Sequence, residues 1–433
     1  MAFQMTDRDI ALDVVVRTEK DRAFLSRVLD AELRYKNPKN SGFITELVYG
    51  VFRHKLRIEW ILNHFLRKPI DKLPLVIRCV LMCAVYELVF MSTPEYAVVS
   101  EWVKIAKQRL QGMTGLVNAV LRSVDESKVR YPEGEEFLSV FHSHPLWMIR
   151  IFGKMVDDVS ALLRANNTPA RTTVRVNTLR ISLEDWVSLA GDRVSPAKWA
   201  EGCFYVNCGA PSDLPGYDDG WFVVQDESAI LVGRLCAPAP GMRVLDMCSA
   251  PGGKTSHLAQ MMENTGEIVA VEVNPRKAEA LRKRLEILGV SIAKVVQGDS
   301  REFYDEEGFD IVLVDAPCSG LGVLRRHPEL KWRITERDIR ELVQCQRELL
   351  CQASKNVKPG GVLVYSTCTL VYEEDIGQVE DFLRMCPEFK IEGSKLVGGN
   401  FFTPEGYFLA LPSRHGTDGM FAVRMIKQKT REE

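Results

Sequence analysis

The chain has 433 residues and a net charge of −2, with 46% hydrophobic and 26% charged residues. This composition is typical of a globular protein, and the length predicts two or three domains because one core rarely grows so large. The balanced charge excludes a general attraction to nucleic acid, so any RNA contact must come from local basic faces. No apolar run reaches the roughly 18 residues of a membrane span, and the first residues lack a signal-peptide layout.

The cysteines indicate a reducing compartment. Eleven cysteines without a signal peptide favour free thiols in a cytoplasm, and none forms the paired C-x-x-C pattern of a metal site. Cys79 and Cys83 share one helical face and are expected to be buried apolar residues. We therefore predict a cytoplasmic monomer with no bound metal and no membrane partner.

Residues 1–140 predict an all-helical domain. From residue 9 to about 127, apolar residues recur at i, i+3 and i+4 spacing, and prolines such as Pro38 and Pro94 fall between the runs, where helices end. The polar faces carry a basic set that is typical either of a solvated surface or of contact with RNA phosphates. The members of this set are Arg53, Lys55, Arg57, Arg67, Lys68, Lys104, Lys107 and Arg109. The polar stretch 128–144 predicts a linker.

Residues 141–236 predict a small α+β subdomain that links the two larger domains and binds RNA. Helical patterns at 147–163 and 183–190 alternate with strand patterns at 172–178 and 220–225. Arg171, Arg175 and Arg180 are candidates for an RNA path, although each alone is more typical of a surface arginine.

Residues 237–433 predict an α/β domain. Strand patterns occur at 243–248, 267–273, 293–299, 309–317 and 361–368, with helices between them, the clearest at 276–288. The segments 407–411 and 420–426 predict a terminal hairpin. Short apolar strands that alternate with helices favour a mainly parallel, doubly wound sheet, whose ligand lies beyond the C-terminal strand ends.

A Gly-rich turn follows the first of these strands, within Val244–Thr255. Glycines let a backbone approach a ligand closely, and the helix that follows offers free N–H groups. Two ligands fit this turn. Gly253–Thr255 matches the end of a phosphate-binding P-loop, but that pattern requires a glycine where this chain has Cys248, so the match is partial. The alternative is an S-adenosylmethionine site, in which the turn holds the amino-acid end of the ligand.

Acids and cysteines end the other strands. Glu272 ends the second strand, where a carboxylate can accept both hydroxyls of a ribose, and Asp299 follows the third, where it could bond an adenine amino group. The fourth strand ends in Asp315, with Cys318 just beyond it, and the fifth ends in Cys368. A buried inert cysteine is the default for either one alone. Two thiols at adjacent strand ends indicate a function instead.

Methylation of a pyrimidine at C5 is the chemistry that needs a cysteine beside S-adenosylmethionine. C5 is a poor nucleophile until a thiolate adds to C6, after which C5 can attack the sulfonium methyl group. Loss of the C5 proton then expels the thiol. Asp315 could bond the amino and N3 edge of a cytosine and steady the charge at N3.

These motifs resemble those of the RNA cytosine-C5 methyltransferases of the NOL1/NOP2/Sun family. The matching positions are Asp246–Lys254, Glu272, Asp299, Asp315–Cys318 and Ser366–Cys368. The run Gly320–Trp332 and the ending His415–Phe421 are similar to the bacterial branch, and Gly115–Arg122 is similar to the NusB-type RNA-binding helical domain. The resemblance covers nearly the whole chain. It implies a NusB-like all-α domain, a small α+β RNA-binding subdomain and a Rossmann-like, class I methyltransferase domain that uses S-adenosylmethionine.

The resemblance also implies roles for single residues. Cys368 would be the nucleophile, Cys318 would assist breakdown of the adduct, and Asp315 would face both the cofactor and the base. Glu272 would hold the ribose, where many relatives have Asp, and Asp299 would complete the cofactor pocket. The residues that would surround the methionine part of the cofactor are Cys248, Ser249, Ala250, Pro251, Gly252, Gly253 and Lys254. In the DNA enzymes the Pro-Cys thiol is the nucleophile, so the order of the two thiols here rests on the resemblance.

The implied substrate is 16S rRNA, at cytosine 967. Four basic residues that flank the Pro-Cys motif could hold RNA phosphates, namely Arg325, Arg326, Lys331 and Arg333. Three alternatives differ from this interpretation: the same chemistry on another RNA such as tRNA, a P-loop NTPase, and a non-catalytic RNA-binding scaffold. Magnesium-dependent ATP hydrolysis would support the NTPase, whereas Cys248 and the two strand-end thiols argue against the second and third alternatives.

Overall fold

The computed structural model describes residues 5–110, 112–393 and 397–429. The chain divides into two compact units: the first comprises residues up to Thr168 together with Leu324–Arg333, and the second comprises Pro169–Val323 and the chain from Ile334 onward. The predicted domain boundaries at residues 140 and 236 stay predictions. In the described ranges no helix is long and apolar enough to cross a membrane, and no group of three or more His, Cys, Asp or Glu side chains is placed to hold a metal ion.

Helices make up the first unit, as the apolar spacing predicts. They are α1 (Asp7–Asp21), α2 (Leu25–Lys36), α3 (Ser41–Arg53), α4 (Lys55–Phe65), α5 (Leu75–Phe90), α6 (Glu95–Arg109), α7 (Thr114–Ser123), α8 (Gly134–Phe141), α9 (Leu146–Phe152) and α10 (Val159–Asn166). Helix α5 is apolar on nearly every face and is therefore the buried helix of this unit, with Cys79 and Cys83 in its core.

Two local predictions for this unit are wrong. The stretch 128–144 is not a linker, because α8 forms there and packs on α4. Its aromatic stripe explains this: the rings of Phe137 and Phe141 stack at 5.0 Å, and the Arg57 guanidinium lies 4.0 Å from the centre of the Phe141 ring. The single helix predicted at 147–163 is two helices, since α9 ends at Phe152 and Asp158 caps the start of α10.

The segment Leu324–Arg333, here called the strap, belongs to the helical unit although the chain on both sides of it lies in the second unit. The Lys331 side chain is 1% exposed, and its ammonium donates to Arg53 O (2.9 Å), Ser143 O (3.0 Å) and Asn167 Oδ1 (2.8 Å). The Trp332 indole N–H donates to a carbonyl of α3 at 2.8 Å. Hydrogen bonds from the Lys331 ammonium and the Trp332 indole to residues far along the chain thus fix the strap in this unit.

The second unit begins with a small antiparallel sheet. Its strands are β1 (Thr173–Val176), β2 (Val194–Pro196), β3 (Cys203–Val206) and β4 (Phe222–Val224), in the order β2-β3-β1-β4. Helix α11 (Leu183–Ala190) packs on it through the fully buried Trp186, which contacts the rings of Phe204 and Phe222.

A mixed sheet forms the body of the second unit. Its strands are β5 (Arg243–Asp246), β6 (Glu267–Glu272), β7 (Ala293–Gln297), β8 (Phe309–Asp315), β9 (Val357–Thr367), β10 (Phe389–Ile391), β11 (Phe408–Ala410) and β12 (Met420–Lys427). The helices are α12 (Glu227–Cys236), α13 (Gly253–Met261), α14 (Pro275–Ile287), α15 (Glu336–Asn356), α16 (Ile376–Met385) and α17 (Pro412–His415).

The order of this sheet is β10-β12-β9-β8-β5-β6-β7, with β11 paired to β12. Strands β5 to β9 are parallel, and β10, β11 and β12 are antiparallel, so the predicted terminal hairpin is confirmed. The strand order reverses between β5 and β8. Ligands of open α/β sheets bind at such a point, beyond the C-terminal strand ends.

Candidate active site

A cavity of about 410 Å³ lies at the C-terminal ends of the parallel strands, within the range of small-ligand sites. Its lining residues are Met247, Cys248, Ala250, Val271, Glu272, Val273, Lys277, Asp299, Ser300, Arg301, Asp315, Ala316, Pro317, Cys318, Cys345, Leu349 and Cys368. The predicted acids and both predicted thiols are among them. The cavity also includes residues that the sequence analysis did not single out, above all Lys277, Arg301 and Cys345.

The Gly-rich turn contributes Cys248 and Ala250 to the cavity wall, while its other members hold the turn in place. The Ser249 N–H and hydroxyl both donate to the carbonyl of Val271, at 3.1 and 2.9 Å. Gly252 has a φ of +92°, and a Cβ there would lie 2.5 Å from Leu281 Cδ1, so only glycine fits. Pro251 precedes it, and Gly253 begins α13.

Lys254 is turned toward Asp315 rather than left as a free phosphate ligand. Its Nζ lies 2.7 Å from Asp315 Oδ2, and the Ser366 hydroxyl donates to Asp315 Oδ1 at 2.9 Å. Burial alone would lower the pKa of Lys254, but the nearby Asp315 charge outweighs it and the pKa is raised. The pair therefore holds a cation and an anion side by side at the edge of the cavity.

The two predicted ligand acids differ in their partners. Glu272 Oε1 accepts the N–H of Asn274 at 2.8 Å, and its side chain faces the cavity at the end of β6. Asp299 instead accepts a forked set of bonds from the Arg301 guanidinium, with the shortest at 2.6 Å, and these bonds lower the pKa of Asp299. Arg301 stands two residues after the predicted acid, so its place at the cavity could have been inferred from the strand end.

The structure brings the two strand-end thiols together. Cys318 Sγ lies 3.2 Å from Cys368 Sγ and accepts the N–H of Cys368 at 3.3 Å. The pKa of the Cys318 thiol is raised well above its usual value, mainly by the hydrogen bond with Cys368 and secondly by burial. Cys318 therefore keeps its proton more firmly than an ordinary thiol in this arrangement.

Asp246, the first residue of the predicted motif Asp246–Lys254, lies at the end of β5 behind the Gly-rich turn. Asp246 is 1% exposed, and its Oδ2 accepts the Thr255 hydroxyl at 2.7 Å. Burial, the largest effect, raises the pKa of Asp246 to about 6. A carboxyl in this state at the base of a ligand loop is a common feature of functional sites.

Of the residues predicted to line an RNA path, Arg175 is not at the surface. Its side chain is 2% exposed and donates to Gln225 Oε1 (3.1 Å), Gly253 O (3.4 Å) and Ser256 Oγ (3.0 Å). It thus ties the small sheet to the first turn of α13. Arg180 donates to the last carbonyls of α14, so both arginines serve structural bonds here.

The basic sets predicted to hold RNA phosphates are also partly corrected. Lys331 is buried in the helical unit, as described, because its ammonium is taken up by three oxygens. Arg53 is 4% exposed, and Lys55 and Arg57 are ion-paired with Glu19 and Glu126. These side chains are engaged within the protein, so the formal charge of a helix face overstates what it offers to RNA.

The strand order, the Gly-rich turn and the strand-end cavity define a Rossmann-like methyltransferase domain. The chain also contains a helical unit and a small antiparallel sheet with its helix α11. Three family models match the chain: the NusB family over residues 5–126, the RsmF/B-like ferredoxin-like domain over 144–202, and the 16S rRNA methyltransferase RsmB/F over 234–426. The chain belongs to the RsmB/F family of 16S rRNA methyltransferases. The predicted family and fold class are thereby confirmed.

Individual relatives agree with this assignment. The chain is 32% identical to the ribosomal RNA small subunit methyltransferase B of Shigella sonnei over 445 aligned residues, which cover 99% of this chain and all of that protein. The crystal structure of PH0851 matches 97% of this chain and 99% of its own, with a TM-score of 0.82 and 26% identity. A methyltransferase homologue from Pyrococcus horikoshii matches 67% of this chain and 97% of its own, with a TM-score of 0.59 and 27% identity.

Proposed function

We propose that the protein transfers a methyl group from S-adenosylmethionine to C5 of a cytosine in 16S rRNA, by resemblance cytosine 967, through a covalent bond between Cys368 and C6. The observation that carries this proposal is the pair of thiols 3.2 Å apart at a cavity that also presents Glu272 and Asp315. A methyltransferase that acts on oxygen or nitrogen has no need of a second thiol beside the first.

The cavity residues fit the cofactor. Glu272 has one oxygen engaged by a backbone N–H and retains acceptor capacity for the ribose hydroxyls. Asp299, oriented by Arg301, would bond the adenine amino group, and the turn Cys248–Lys254 would surround the methionine part. When bound, S-adenosylmethionine supplies the methyl group as an electrophilic sulfonium. The pairing of Lys254 with Asp315 also disfavours the P-loop alternative, because it withdraws from the cavity the ammonium that would bind phosphate.

The residues divide the remaining chemistry among them. The Cys368 thiolate gives its electron pair to C6 and forms the C–S bond, while the C5–C6 π bond opens and its electrons pass to C5 and the adjoining ring. Asp315 accepts a hydrogen bond from the C4 amino group of the base, and Lys254 balances the charge of Asp315. C5 would take the methyl group of the bound cofactor, whose sulfur would keep the electrons of the broken S–CH₃ bond. Cys318, after it has released its own proton to solvent, then takes the C5 proton as a thiolate. The C5–H electron pair then restores the C5–C6 double bond, and the C6–S bond breaks to return Cys368 as a thiolate.

The positions of the two thiols are compatible with this order. Cys368 follows β9 directly, and Cys318 Sγ lies 3.2 Å from Cys368 Sγ, so a base bonded to Cys368 at C6 has the Cys318 thiol beside it.

Single substitutions distinguish the roles of the two thiols. Cys368→Ala should abolish methyl transfer and leave cofactor binding intact, because it removes only the group that adds to C6. Cys318→Ala should still methylate but stall at elimination, so that a methylated RNA–protein complex survives a denaturing gel. Cys386→Ala, at a half-buried thiol outside the cavity lining, is the matched control and should behave as wild type. A trapped complex in Cys368→Ala but not in Cys318→Ala would invert the assignment.

The substrate position is tested separately. Bisulfite sequencing of rRNA from cells with and without the gene should show one cytosine of 16S rRNA that loses its methylation signal. A signal that is lost from a tRNA instead, with 16S rRNA unchanged, would favour the alternative RNA substrate.

We also propose that the helical unit adds RNA affinity. Arg67, Lys68 and Lys107 are exposed members of the predicted basic set. Replacement of Arg67 and Lys68 by glutamine should weaken rRNA binding and reduce its dependence on salt, since fewer counterions are released. An unchanged salt slope would assign RNA binding to other surfaces.

A further inference from the structure

We propose that Glu374 is a positioning residue that holds the two cysteine turns in register, and that it is needed for release of the methylated RNA rather than for its methylation. This inference rests on the proposed covalent mechanism and concerns a residue that does not line the cavity. Glu374 lies in the segment between β9 and α16, shortly after Cys368, and its side chain is completely buried.

The carboxylate of Glu374 binds the turn that carries Cys318. The Ser319 N–H donates to Glu374 Oε2 at 2.9 Å, and the Ser319 hydroxyl donates to Oε1. Gln346 of α15 donates to Oε2 at 3.0 Å and also to the carbonyl of Pro317 at 2.9 Å. Ser319 is therefore bonded to the Glu374 carboxylate directly, and Pro317 is linked to it through Gln346.

The same network reaches the turn that carries Cys368. The Ser319 and Thr369 hydroxyl oxygens lie 2.7 Å apart, and both side chains are buried. The Ser319 hydroxyl has one proton and donates it to Glu374 Oε1, so the Thr369 hydroxyl must donate to the Ser319 oxygen. Glu374 thereby orients the hydrogen bond that joins the residue after Cys318 to the residue after Cys368.

The two cysteines depend on this network to different degrees. Cys368 follows directly after β9, where Ser366 and Thr367 bond to Asp315 and Asp375. Cys318 lies three residues beyond β8, in a turn whose flanking bonds run to Glu374 and Gln346. Loss of the Glu374 carboxylate should therefore displace Cys318 more than Cys368. Because Cys318 is the base for the C5 proton, the affected step is elimination.

The test compares single and multiple turnovers of Glu374→Ala on unmodified 16S rRNA with S-adenosylmethionine. We expect the first methyl transfer to stay close to the wild-type rate, and a methylated RNA–protein complex to accumulate as in Cys318→Ala. Multiple turnover should fall by about 10²-fold, the usual effect of a displacement on the order of 1 Å at a reacting group. Calorimetry with S-adenosylhomocysteine should give unchanged affinity.

Glu374→Gln should rescue release. Its amide oxygen can accept the two N–H donors at the Oε2 position, and its NH₂ group can donate to the Ser319 hydroxyl oxygen, which then donates to Thr369. A role through general destabilisation would lower the folded fraction and slow both steps equally, without a trapped complex. Glu380→Gln, at an exposed glutamate of α16, is the matched control and should release RNA normally.

The remaining outcomes distinguish failure of the Glu374 inference from failure of the proposed function. A folded Glu374→Ala protein that releases RNA at the wild-type rate would overturn the inference, while a trapped complex in Cys318→Ala would leave the proposed function standing. No trapped complex in Cys318→Ala would overturn both. If Glu374→Ala does not fold, Ser319→Ala replaces it, since it removes only the hydroxyl link, and normal release by that variant would refute the role.

Discussion

Asp246→Asn should gain stability relative to the wild type as the pH rises from about 4 to about 7.5. The Asp246 carboxyl ends β5 with 1% exposure, and burial raises its pKa from 3.8 to about 6. Asparagine keeps an acceptor for the Thr255 hydroxyl, which donates at 2.7 Å, but carries no charge into the buried site. The substitution therefore removes the unfavourable charge and keeps this hydrogen bond, while its buried NH₂ group adds a cost that does not change with pH.

The size of the effect follows from the shift in pKa. Because one pKa unit equals about 1.36 kcal/mol, the rise of the Asp246 pKa corresponds to about 3 kcal/mol. Between pH 3.8 and pH 6 the native carboxyl binds more protons than the unfolded one, so the free energy of unfolding of the wild type falls as pH rises through this window. Across the whole window the stability of Asp246→Asn relative to the wild type should therefore rise by about 3 kcal/mol.

The assay is urea unfolding of both proteins in parallel at about pH 4 and about pH 7.5, with the difference between them as the result, since groups common to both proteins then cancel. Asp299→Asn is the control of opposite sign. Bonds from Arg301 lower the pKa of Asp299, so its contribution to stability is present above pH 3.8 and is lost only below it; that variant should be the less stable protein at both pH values. A difference between wild type and Asp246→Asn that does not change with pH would refute the reasoning.

Three further predictions concern the cofactor and the helical unit. Glu272→Ala should weaken binding of S-adenosylhomocysteine by about 1.5–3 kcal/mol, the value of a charge-assisted hydrogen bond; unchanged affinity in calorimetry would remove Glu272 from the ribose site. Lys331→Met should lower the thermal stability of the helical unit, because it leaves the buried Arg53 and Ser143 carbonyl oxygens without this donor at about 1–3 kcal/mol each and also frees the partly buried Asn167 Oδ1. An equal melting temperature would show that water replaces the ammonium. Gly50→Ala should destabilise the contact between α3 and α5 by about 1–3 kcal/mol, since its Cβ would lie 1.9 Å from Tyr86 Cζ; Gly115→Ala, where a Cβ meets nothing within 4 Å, is the control for the same substitution in a helix.

The candidate site could be predicted from the sequence because its residues stand at strand ends. Each parallel strand is a short apolar run that is recognisable locally, and the C-terminal ends of such strands share one edge of the sheet. Glu272, Asp315 and Cys318 could therefore be placed near Cys368 without coordinates, although no periodicity indicates that the two sulfur atoms lie 3.2 Å apart. The resemblance to a known family, rather than the spacing, supplied their separate roles.

The sequence-based predictions were wrong where contacts between distant parts of the chain decide the structure. The stretch 128–144 is rich in polar residues, but its aromatic stripe meets its partner, the Arg57 guanidinium, only when α4 is in place. The arginine and lysine residues assigned to RNA were interpreted as exposed, because a charged side chain is rarely buried without partners. The partners exist, but they lie far along the chain: Lys331 bonds to oxygens 164 to 278 residues away.

The sequence by itself determined the succession of helices and strands, the parallel sheet and the acids and thiols along its edge, because these depend on local periodicity and on the geometry common to all such sheets. Only the tertiary structure decided which polar side chains are buried and what each one bonds. Arg175, Lys331 and Glu374 have no distinguishing local pattern, and their roles depend on backbone carbonyl and N–H groups that other elements bring within 3.5 Å. Hydrogen bonds act over that short distance alone, so the fold must bring donor and acceptor together before either residue has a role.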